Sequence, residues 1–142
     1  MLITKTFYFD MAHMLDGHDG KCKNLHGHTY SLKVGLKGDL IQTGSNKGMV
    51  MDYGDIKDVV TKHILSKMDH AFIFDINSEF ETDIANILIK NNQKVYSLKK
   101  RTTAENLSKH IYKILKQEIS EVLFVEIGET LSSSAQYGGY YD

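Results

Sequence analysis

Two stretches of alternating residues near the N-terminus constrain this chain most, because each has a histidine on its apolar side. From Ile3 to His13 the odd positions 3, 7, 9 and 11 are apolar, and His13 has the same parity. From His28 to Leu36 the even positions 30, 32, 34 and 36 are apolar, and His28 has the same parity. A period of two is typical of a half-buried strand. The pattern therefore predicts two strands with histidines on their inward faces.

The segment between these strands ends in Cys-Lys-Asn-Leu-His-Gly-His, residues 22–28. His26 and His28 are two positions apart and share a face, and Gly27 adds no side chain that would crowd a metal. Zinc accepts imidazole nitrogens at about 2.0–2.1 Å, and a catalytic zinc typically has three protein ligands and an open fourth position. We therefore predict a zinc site made of His13, His26 and His28.

A metal-free interpretation is available for each histidine taken alone. A His-x-His pair also occurs on solvated strand faces, and His13 by itself would be read as a buried, hydrogen-bonded core residue. The single cysteine of the chain, Cys22, lies four residues before His26. This combination of residues favours the metal site.

The composition is that of a soluble globular protein with one domain, which we expect to span residues 1–142. Apolar residues make up 42% and charged residues 25% of the chain. The 17 Lys and Arg residues nearly balance the 18 Asp and Glu residues, so no basic field attracts nucleic acid. We expect a small-molecule partner and no nucleic acid.

The cysteine count and the lengths of the apolar runs indicate the cellular compartment of the protein. One cysteine cannot form an internal disulfide, which favours a reducing environment. The N-terminal residues lack the pattern of a signal peptide, and no apolar run approaches the roughly 20 residues of a membrane helix. A cytoplasmic protein without a membrane segment is the expectation.

Two main helices and an insertion are predicted in the middle of the chain. Asp52 is a candidate N-cap for a helix of about four turns that ends near Met68. The motif Thr102-Thr103-Ala104-Glu105 fits a capping box, in which Thr102 caps the second helix and Glu105 reaches back to it. Between them, residues 77–101 suggest an insertion with a short helix at 80–89 and an extended piece at 95–98.

Two further strands, at residues 122–130 and 135–141, complete the order of two strands, two helices and two strands. An antiparallel sheet with both helices on one face fits this order, so the predicted fold class is α+β.

Five motifs in this order resemble the 6-pyruvoyl-tetrahydropterin synthase family. They are the His that closes the first strand, Cys-x-x-x-His-Gly-His, Asp69-His70 after the first helix, Thr-Ala-Glu-Asn at the second helix, and Glu129-Thr130 at the end of the third strand. The resemblance implies the tunnelling fold, in which four-stranded antiparallel sheets with two helices on one face (β-β-α-α-β-β) join into an inter-subunit barrel. It also implies a homo-oligomer, a trimer or a hexamer.

The resemblance also implies roles for residues of the site. The three histidines would hold Zn²⁺, and Cys22 would be the catalytic base, assisted by Asp69 and His70. Glu129 would be both catalytic and the acid that anchors the pterin. Two further substrate contacts are implied at the start of the second helix, by Thr103 and Glu105.

Some of these residues have simpler explanations. Asp69 and His70 would also suit the C-terminus of a helix, where a histidine interacts well with the dipole. The capping box would by itself explain Glu105. Lys99, Lys100 and Arg101 are candidates to hold a triphosphate by charge alone.

Within the family, the cysteine spacing is most similar to that of the members that form 6-carboxy-tetrahydropterin for queuosine biosynthesis. The implied reaction converts 7,8-dihydroneopterin triphosphate to that product with release of acetaldehyde and triphosphate. The alternatives are the pyruvoyl-forming reaction, which keeps the whole side chain, and a non-enzymatic subunit that binds zinc and pterin.

Overall fold

A single six-stranded sheet organises the fold in the computed structural model, which describes residues 1–139. The strands are β1 (Leu2–His13), β2 (His26–Lys37), β3 (Ala71–Asp75), β4 (Val95–Leu98), β5 (Val122–Thr130) and β6 (Ser133–Gly138). Their order across the sheet is β4-β3-β1-β2-β5-β6. Strands β1, β2, β5 and β6 pair antiparallel, whereas β3 runs parallel to both β1 and β4. The sheet is therefore mixed.

Three helices accompany the sheet. Helix α1 (Tyr53–Val60) continues through a π-helical stretch (Thr61–Leu65) and a last α-turn (Ser66–Met68), and it is followed by α2 (Glu79–Lys90) and α3 (Ala104–Glu118). Asp52 caps α1 as predicted, because its side chain accepts a hydrogen bond of 2.6 Å from the Gly54 amide. Within the described residues, no helix has the length and apolar character needed to cross a membrane.

The cap of α3 lies one residue later than the capping-box prediction. Thr103 is the N-cap, and its hydroxyl accepts a hydrogen bond of 3.2 Å from the Asn106 amide. Asn106 therefore occupies the third helical position, which the predicted box gave to Glu105. The hydroxyl of Thr102 lies instead within hydrogen-bond distance of His13 and of the Met14 carbonyl.

The core lies between one face of the sheet and helices α1 and α3. The odd side chains of β1 from Phe7 onward are buried there, as are the even side chains of β2 from Tyr30 onward. Helix α2 packs on the other face, in a smaller cluster with Ala12, Phe72 and Phe74. The predicted face assignment of β1 and β2 is therefore confirmed.

The predicted four-stranded sheet with two helices is incomplete. Four antiparallel strands and two helices on one face are present, but the aromatic run 71–75 and the insertion add β3, α2 and β4. The first four residues of β3 are all buried, so it shows no alternation by which a strand could be recognised. The last strand, predicted at residues 135–141, begins two residues earlier: β6 spans Ser133–Gly138, and Tyr140 and Tyr141 of the predicted strand lie outside the described residues.

Candidate metal centre and active site

Three imidazole rings converge on the core face of the sheet, at the ends of β1 and β2. The strand register pairs His13 with His26 and Met11 with His28. The His13 ring centroid lies 4.6 Å from that of His26 and 5.2 Å from that of His28, and the last two are 4.9 Å apart. One nitrogen from each ring lies within 4.8 Å of the other two. The structure thus brings together the three histidines that the sequence predicted.

Hydrogen bonds fix the orientation of two of these rings. His13 Nδ1 lies 2.9 Å from the Thr102 carbonyl oxygen, and His26 Nδ1 lies 2.6 Å from that of Asn24. A carbonyl only accepts, so each Nδ1 carries the proton and each Nε2 keeps a free lone pair. This arrangement is the usual support of a metal-bound histidine.

The Nε2 atoms of all three histidines are buried and have no hydrogen-bond partner among the described residues. Buried polar atoms are rarely left unpaired, and three that converge on one point match the imidazole set that zinc accepts. The residues present therefore fit a metal ion.

The environment also favours the neutral forms of His13 and His28. Burial lowers the pKa of His13 to about 4, with His26 and His28 adding to the effect and the bond to the Thr102 carbonyl opposing it. Burial and the neighbouring His26 lower the pKa of His28 as well. Only a neutral imidazole can donate a lone pair to a metal.

Glu129 lies beside the three histidines. Its Oε2 is 3.7 Å from His28 Nε2, at the end of β5. Burial and the nearby Glu105 carboxylate raise the pKa of Glu129, against a lowering effect of His26. Glu105 thus lies near Glu129, and the repulsion between the two carboxylates makes this part of the site suited to a ligand that presents hydrogen-bond donors.

This placement changes the interpretation of the two residues at the start of α3. Glu105 is not the capping-box acid, because the helix begins one residue later, and its charge acts on Glu129 instead. Thr103 uses its hydroxyl as the N-cap acceptor for Asn106.

Tyr30 belongs to the same face and was read from the sequence only as an apolar strand residue. Its ring lies edge-on to His28 with centroids 5.3 Å apart, and its buried hydroxyl has no hydrogen-bond partner among residues 1–139. Burial, together with the Glu129 carboxylate, raises the pKa of Tyr30. Tyr30 lies two residues after His28 in the same strand, and this shared parity was the sequence signal that could have placed it in the site.

Asp69 and His70 form a second group of polar residues. Asp69 Oδ1 lies 2.8 Å from His70 Nδ1 and accepts a hydrogen bond of 3.1 Å from the Asp10 amide. Partial burial acts to raise the pKa of Asp69, but these two bonds and nearby positive charge outweigh it and lower the pKa. His70 has a left-handed backbone (φ 63°), and its amide donates to the Asp10 carbonyl at 2.7 Å.

Strands β1 and β2 support this pair in a way that the sequence did not indicate. Asp10 has the opposite parity to His13, and its carboxylate accepts a hydrogen bond of 2.5 Å from the Thr29 hydroxyl. Ligand atoms of Asp10, Asp69 and His70 lie within 4.8 Å of one another. The Asp69–His70 pair therefore lies on the sheet face opposite to the three histidines.

A cavity of about 640 Å³ opens on this second face. Apolar residues of β3 and α2 line it together with polar residues near the pair, including Asp10, Thr29, His70, Phe72, Ile84 and Leu88. His28 of the three-histidine centre also belongs to the lining. The His70 side chain is 75% exposed there. Such a cavity has the size of a small-molecule site.

Cys22 lies in the 3₁₀ turn Lys21–Lys23 between β1 and β2 and is half-buried. Its carbonyl accepts a hydrogen bond of 2.9 Å from the Leu15 amide, which closes the loop that carries it. The structure gives no contact of its thiol with His70.

A mixed sheet with three converging histidines that could hold a metal ion, next to Glu129, defines an α+β protein with a candidate active site. The family model described as 6-pyruvoyl tetrahydropterin synthase matches residues 2–140. The chain belongs to this family.

Individual relatives agree with this assignment. The chain is 49% identical over 136 residues to the 6-carboxy-5,6,7,8-tetrahydropterin synthase of Haemophilus influenzae, covering 95% of this chain and 96% of the relative. It is similar to the structure of Caenorhabditis elegans 6-pyruvoyl tetrahydropterin synthase, with a TM-score of 0.71, 26% identity and coverage of 98% and 95%. An uncharacterised protein from Wolinella succinogenes shares the fold, with a TM-score of 0.82, 20% identity and coverage of 97% of both chains.

Proposed function

We propose that the protein is a zinc-dependent 6-carboxy-5,6,7,8-tetrahydropterin synthase. It would convert 7,8-dihydroneopterin triphosphate to 6-carboxy-tetrahydropterin, acetaldehyde and triphosphate, a step in queuosine biosynthesis. The observation that carries this proposal is the set of three buried, unpartnered Nε2 atoms beside Glu129, in a chain 49% identical to an enzyme of this name.

His13, His26 and His28 would hold the zinc, which would polarise the hydroxyl groups of the substrate side chain and make neighbouring protons more acidic. Glu129 would accept hydrogen bonds from the 2-amino group and a ring N–H of the pterin, which present a paired donor edge to one carboxylate. Glu105 lies close enough to raise the pKa of Glu129 and would be the second acid at that edge.

Cys22 would remove a proton from the substrate side chain as the thiolate. Asp69 would hold His70 in one tautomer and stabilise its charged form, so that His70 can exchange a proton with the substrate. The bond of 2.8 Å between the two side chains and the lowered pKa of Asp69 support this division of roles.

An oligomer would complete the site. Asp69 and His70 lie on the opposite sheet face from the histidines of the same chain, so one of these groups would act with residues of a neighbouring subunit. The implied trimer or hexamer, with sheets joined into a barrel, would also pair the outer edge of β6, which has no partner strand among the described residues. Analytical ultracentrifugation would test this arrangement, and a monomer at micromolar concentration would contradict it.

The second candidate within the family is the pyruvoyl-forming reaction. The name of the family and the name of the C. elegans protein both refer to this reaction. Incubation of zinc-loaded protein with 7,8-dihydroneopterin triphosphate separates the two reactions. Acetaldehyde should appear in a one-to-one ratio with consumed substrate. Consumption of substrate with triphosphate release and no acetaldehyde would establish the pyruvoyl alternative.

The substitution Cys22→Ala tests whether Cys22 acts in catalysis rather than in the binding of zinc or pterin. Turnover should fall by at least about 10²-fold, the lower range for loss of a general base. Zinc content and pterin affinity should remain within about twofold of the native protein. Unchanged turnover in the variant would show that Cys22 is not the base.

A further inference from the structure

A basic cavity of about 430 Å³ lies between helix α3 and the loop that follows β4. Its polar lining consists mainly of cations and amides from these two segments, chiefly Lys99, Lys100, Asn106, Lys109, His110 and Lys113. No carboxylate is among the lining residues. None of the residues that we assign to the metal or the pterin lines it either, so the cavity is separate from the three-histidine centre.

The positive charge of this cavity is not balanced locally. The chain as a whole has 17 Lys and Arg against 18 Asp and Glu. Even so, the ion pairs among residues 1–139 include none of the four cavity lysines. Lys109 and Lys113 are also four apart on α3, a spacing at which like charges destabilise a helix. The Lys109 ammonium lies 5.5 Å from the centroid of the Tyr137 ring, a favourable contact with the aromatic face.

The backbone that carries the two loop lysines is held in place on both sides. The Ile76 amide donates to the Leu98 carbonyl at 3.0 Å, and the Asn77 side-chain amide donates to the Lys99 carbonyl at 2.8 Å. On the side of the helix, the Asn106 side-chain amide donates to the Arg101 carbonyl at 2.9 Å. The lysines therefore extend from fixed positions, which lowers the entropy cost of binding a ligand.

Arg101 does not belong to this cavity, although its charge made it a candidate with Lys99 and Lys100. Its guanidinium donates to the Asp16 carbonyl at 2.8 Å, near the loop between β1 and β2. The half-buried His110 does belong to the wall, and its Nε2 lies 2.7 Å from the Tyr96 hydroxyl. Burial lowers the pKa of His110, and the positive charge of Lys113 adds to the effect.

We propose that this cavity binds an oligophosphate group. Its volume lies in the range of small-ligand sites, about 300–1,000 Å³, and several converging ammonium groups suit a compact anion of high charge. Lysine binds phosphate as a flexible point charge, so four of them can follow the oxygens of a chain of phosphates. The oligophosphate would be either the triphosphate of the substrate or free triphosphate.

Calorimetric titration of inorganic triphosphate into the zinc-loaded protein at low ionic strength tests the site. The variant Lys109→Gln/Lys113→Gln should bind triphosphate at least about tenfold more weakly. The variant Lys62→Gln/Lys67→Gln removes the same charge from exposed positions at the end of α1 and should bind within about twofold of the native protein. Equal affinity of the native protein and the Lys109/Lys113 variant would overturn the proposal.

The variant His26→Ala separates this cavity from the metal centre. It should retain triphosphate binding, because His26 lies outside the cavity. Loss of triphosphate binding in His26→Ala together with full binding in Lys109→Gln/Lys113→Gln would place the anion at the metal and overturn the proposal. Thermal unfolding provides the control for folding. The midpoint of the lysine variants should be close to that of the native protein, and the midpoint of His26→Ala should be close to that of the native protein without zinc.

Substrate kinetics distinguish the two sources of the anion, and this step rests on the proposed function. A raised KM for 7,8-dihydroneopterin triphosphate with unchanged kcat in Lys109→Gln/Lys113→Gln would support binding of the substrate's own triphosphate. An unchanged KM with loss of inhibition by added triphosphate would support a separate site for the free anion. Failure of the proposed reaction would leave the calorimetric comparison intact, so the two proposals fail independently.

Discussion

The His13 side chain and the Thr102 backbone carbonyl are joined by a hydrogen bond of 2.9 Å across 89 residues of sequence. The Thr102 hydroxyl lies 3.2 Å from the same Nδ1 and donates to the Met14 carbonyl at 3.3 Å. Both residues are buried, at 1% and 2% exposure. The residue just before the cap of α3 therefore sets the ring orientation of the histidine at the end of β1.

The substitution Thr102→Val tests the contribution of this hydroxyl. Valine preserves the carbonyl bond to His13 but leaves the Met14 carbonyl without its donor. We expect a loss of about 1 kcal/mol in the free energy of unfolding and up to about tenfold weaker zinc binding. Urea unfolding and competition with a chromophoric chelator would measure these changes. Unchanged zinc affinity would show that the carbonyl alone orients the ring.

Removal of one imidazole should weaken the metal site sharply. The substitution His26→Ala leaves two of the three converging Nε2 atoms, so we expect zinc content after dialysis to fall from about one per chain to well below half. The exposed His18 lies in the loop before the motif, and His18→Ala is the matched control, with unchanged zinc content. Plasma emission spectrometry measures both. Full zinc occupancy in His26→Ala would contradict the assigned ligand set.

Glu129 offers a test of substrate binding that does not depend on turnover. In Glu129→Gln the carboxylate that would accept two pterin donors becomes a neutral amide. We expect about 10- to 100-fold weaker binding of a pterin, in line with about 1.5–3 kcal/mol for hydrogen bonds to a charged group. Fluorescence titration with a pterin measures the affinity, and zinc content should not change. Equal pterin affinity would remove Glu129 from the substrate site.

The sequence could predict those parts of the site that follow from strand periodicity. A period of two placed His13, His26 and His28 on the buried face, and the register of β1 and β2 brings them together. The Asp52 cap was likewise local and was confirmed. These features depend on neighbours within a few residues.

Features set by contacts distant in sequence could not be predicted in the same way. The two threonines at 102 and 103 are equivalent as local caps, and the choice between them depends on His13, far away in the chain. Asp10 looked like an ordinary outward residue of β1, because its role depends on where Asp69 and His70 end α1. The first four residues of β3 are all apolar and had no periodicity that could separate the strand from a buried connection.

Gly35 in β2 gives a test of the sheet itself. A Cβ at this position would overlap the ring of Phe124 on the adjacent strand β5. Gly35→Ala should therefore lower the free energy of unfolding by about 1–3 kcal/mol, the usual cost of overpacking. In the background Phe124→Leu the same substitution should cost less, because the clashing ring is absent. Chemical unfolding of the four proteins measures this coupling, and equal costs in both backgrounds would contradict the contact.

The pKa of His13 predicts how the metal-free protein responds to acid. Burial lowers this pKa from 6.5 in the unfolded chain to about 4 in the folded protein, so the unfolded state binds more protons between these values. The stability associated with a neutral His13 is present above pH 6.5 and is lost as the pH falls towards 4, by about 3 kcal/mol in total. Urea unfolding of chelator-treated protein at pH 7.5, 6 and 5 should show a falling free energy of unfolding. The fall should be smaller in His13→Gln and unchanged in His18→Gln. A free energy that stays constant or rises between pH 7.5 and 5 would show that His13 is not held neutral by the fold.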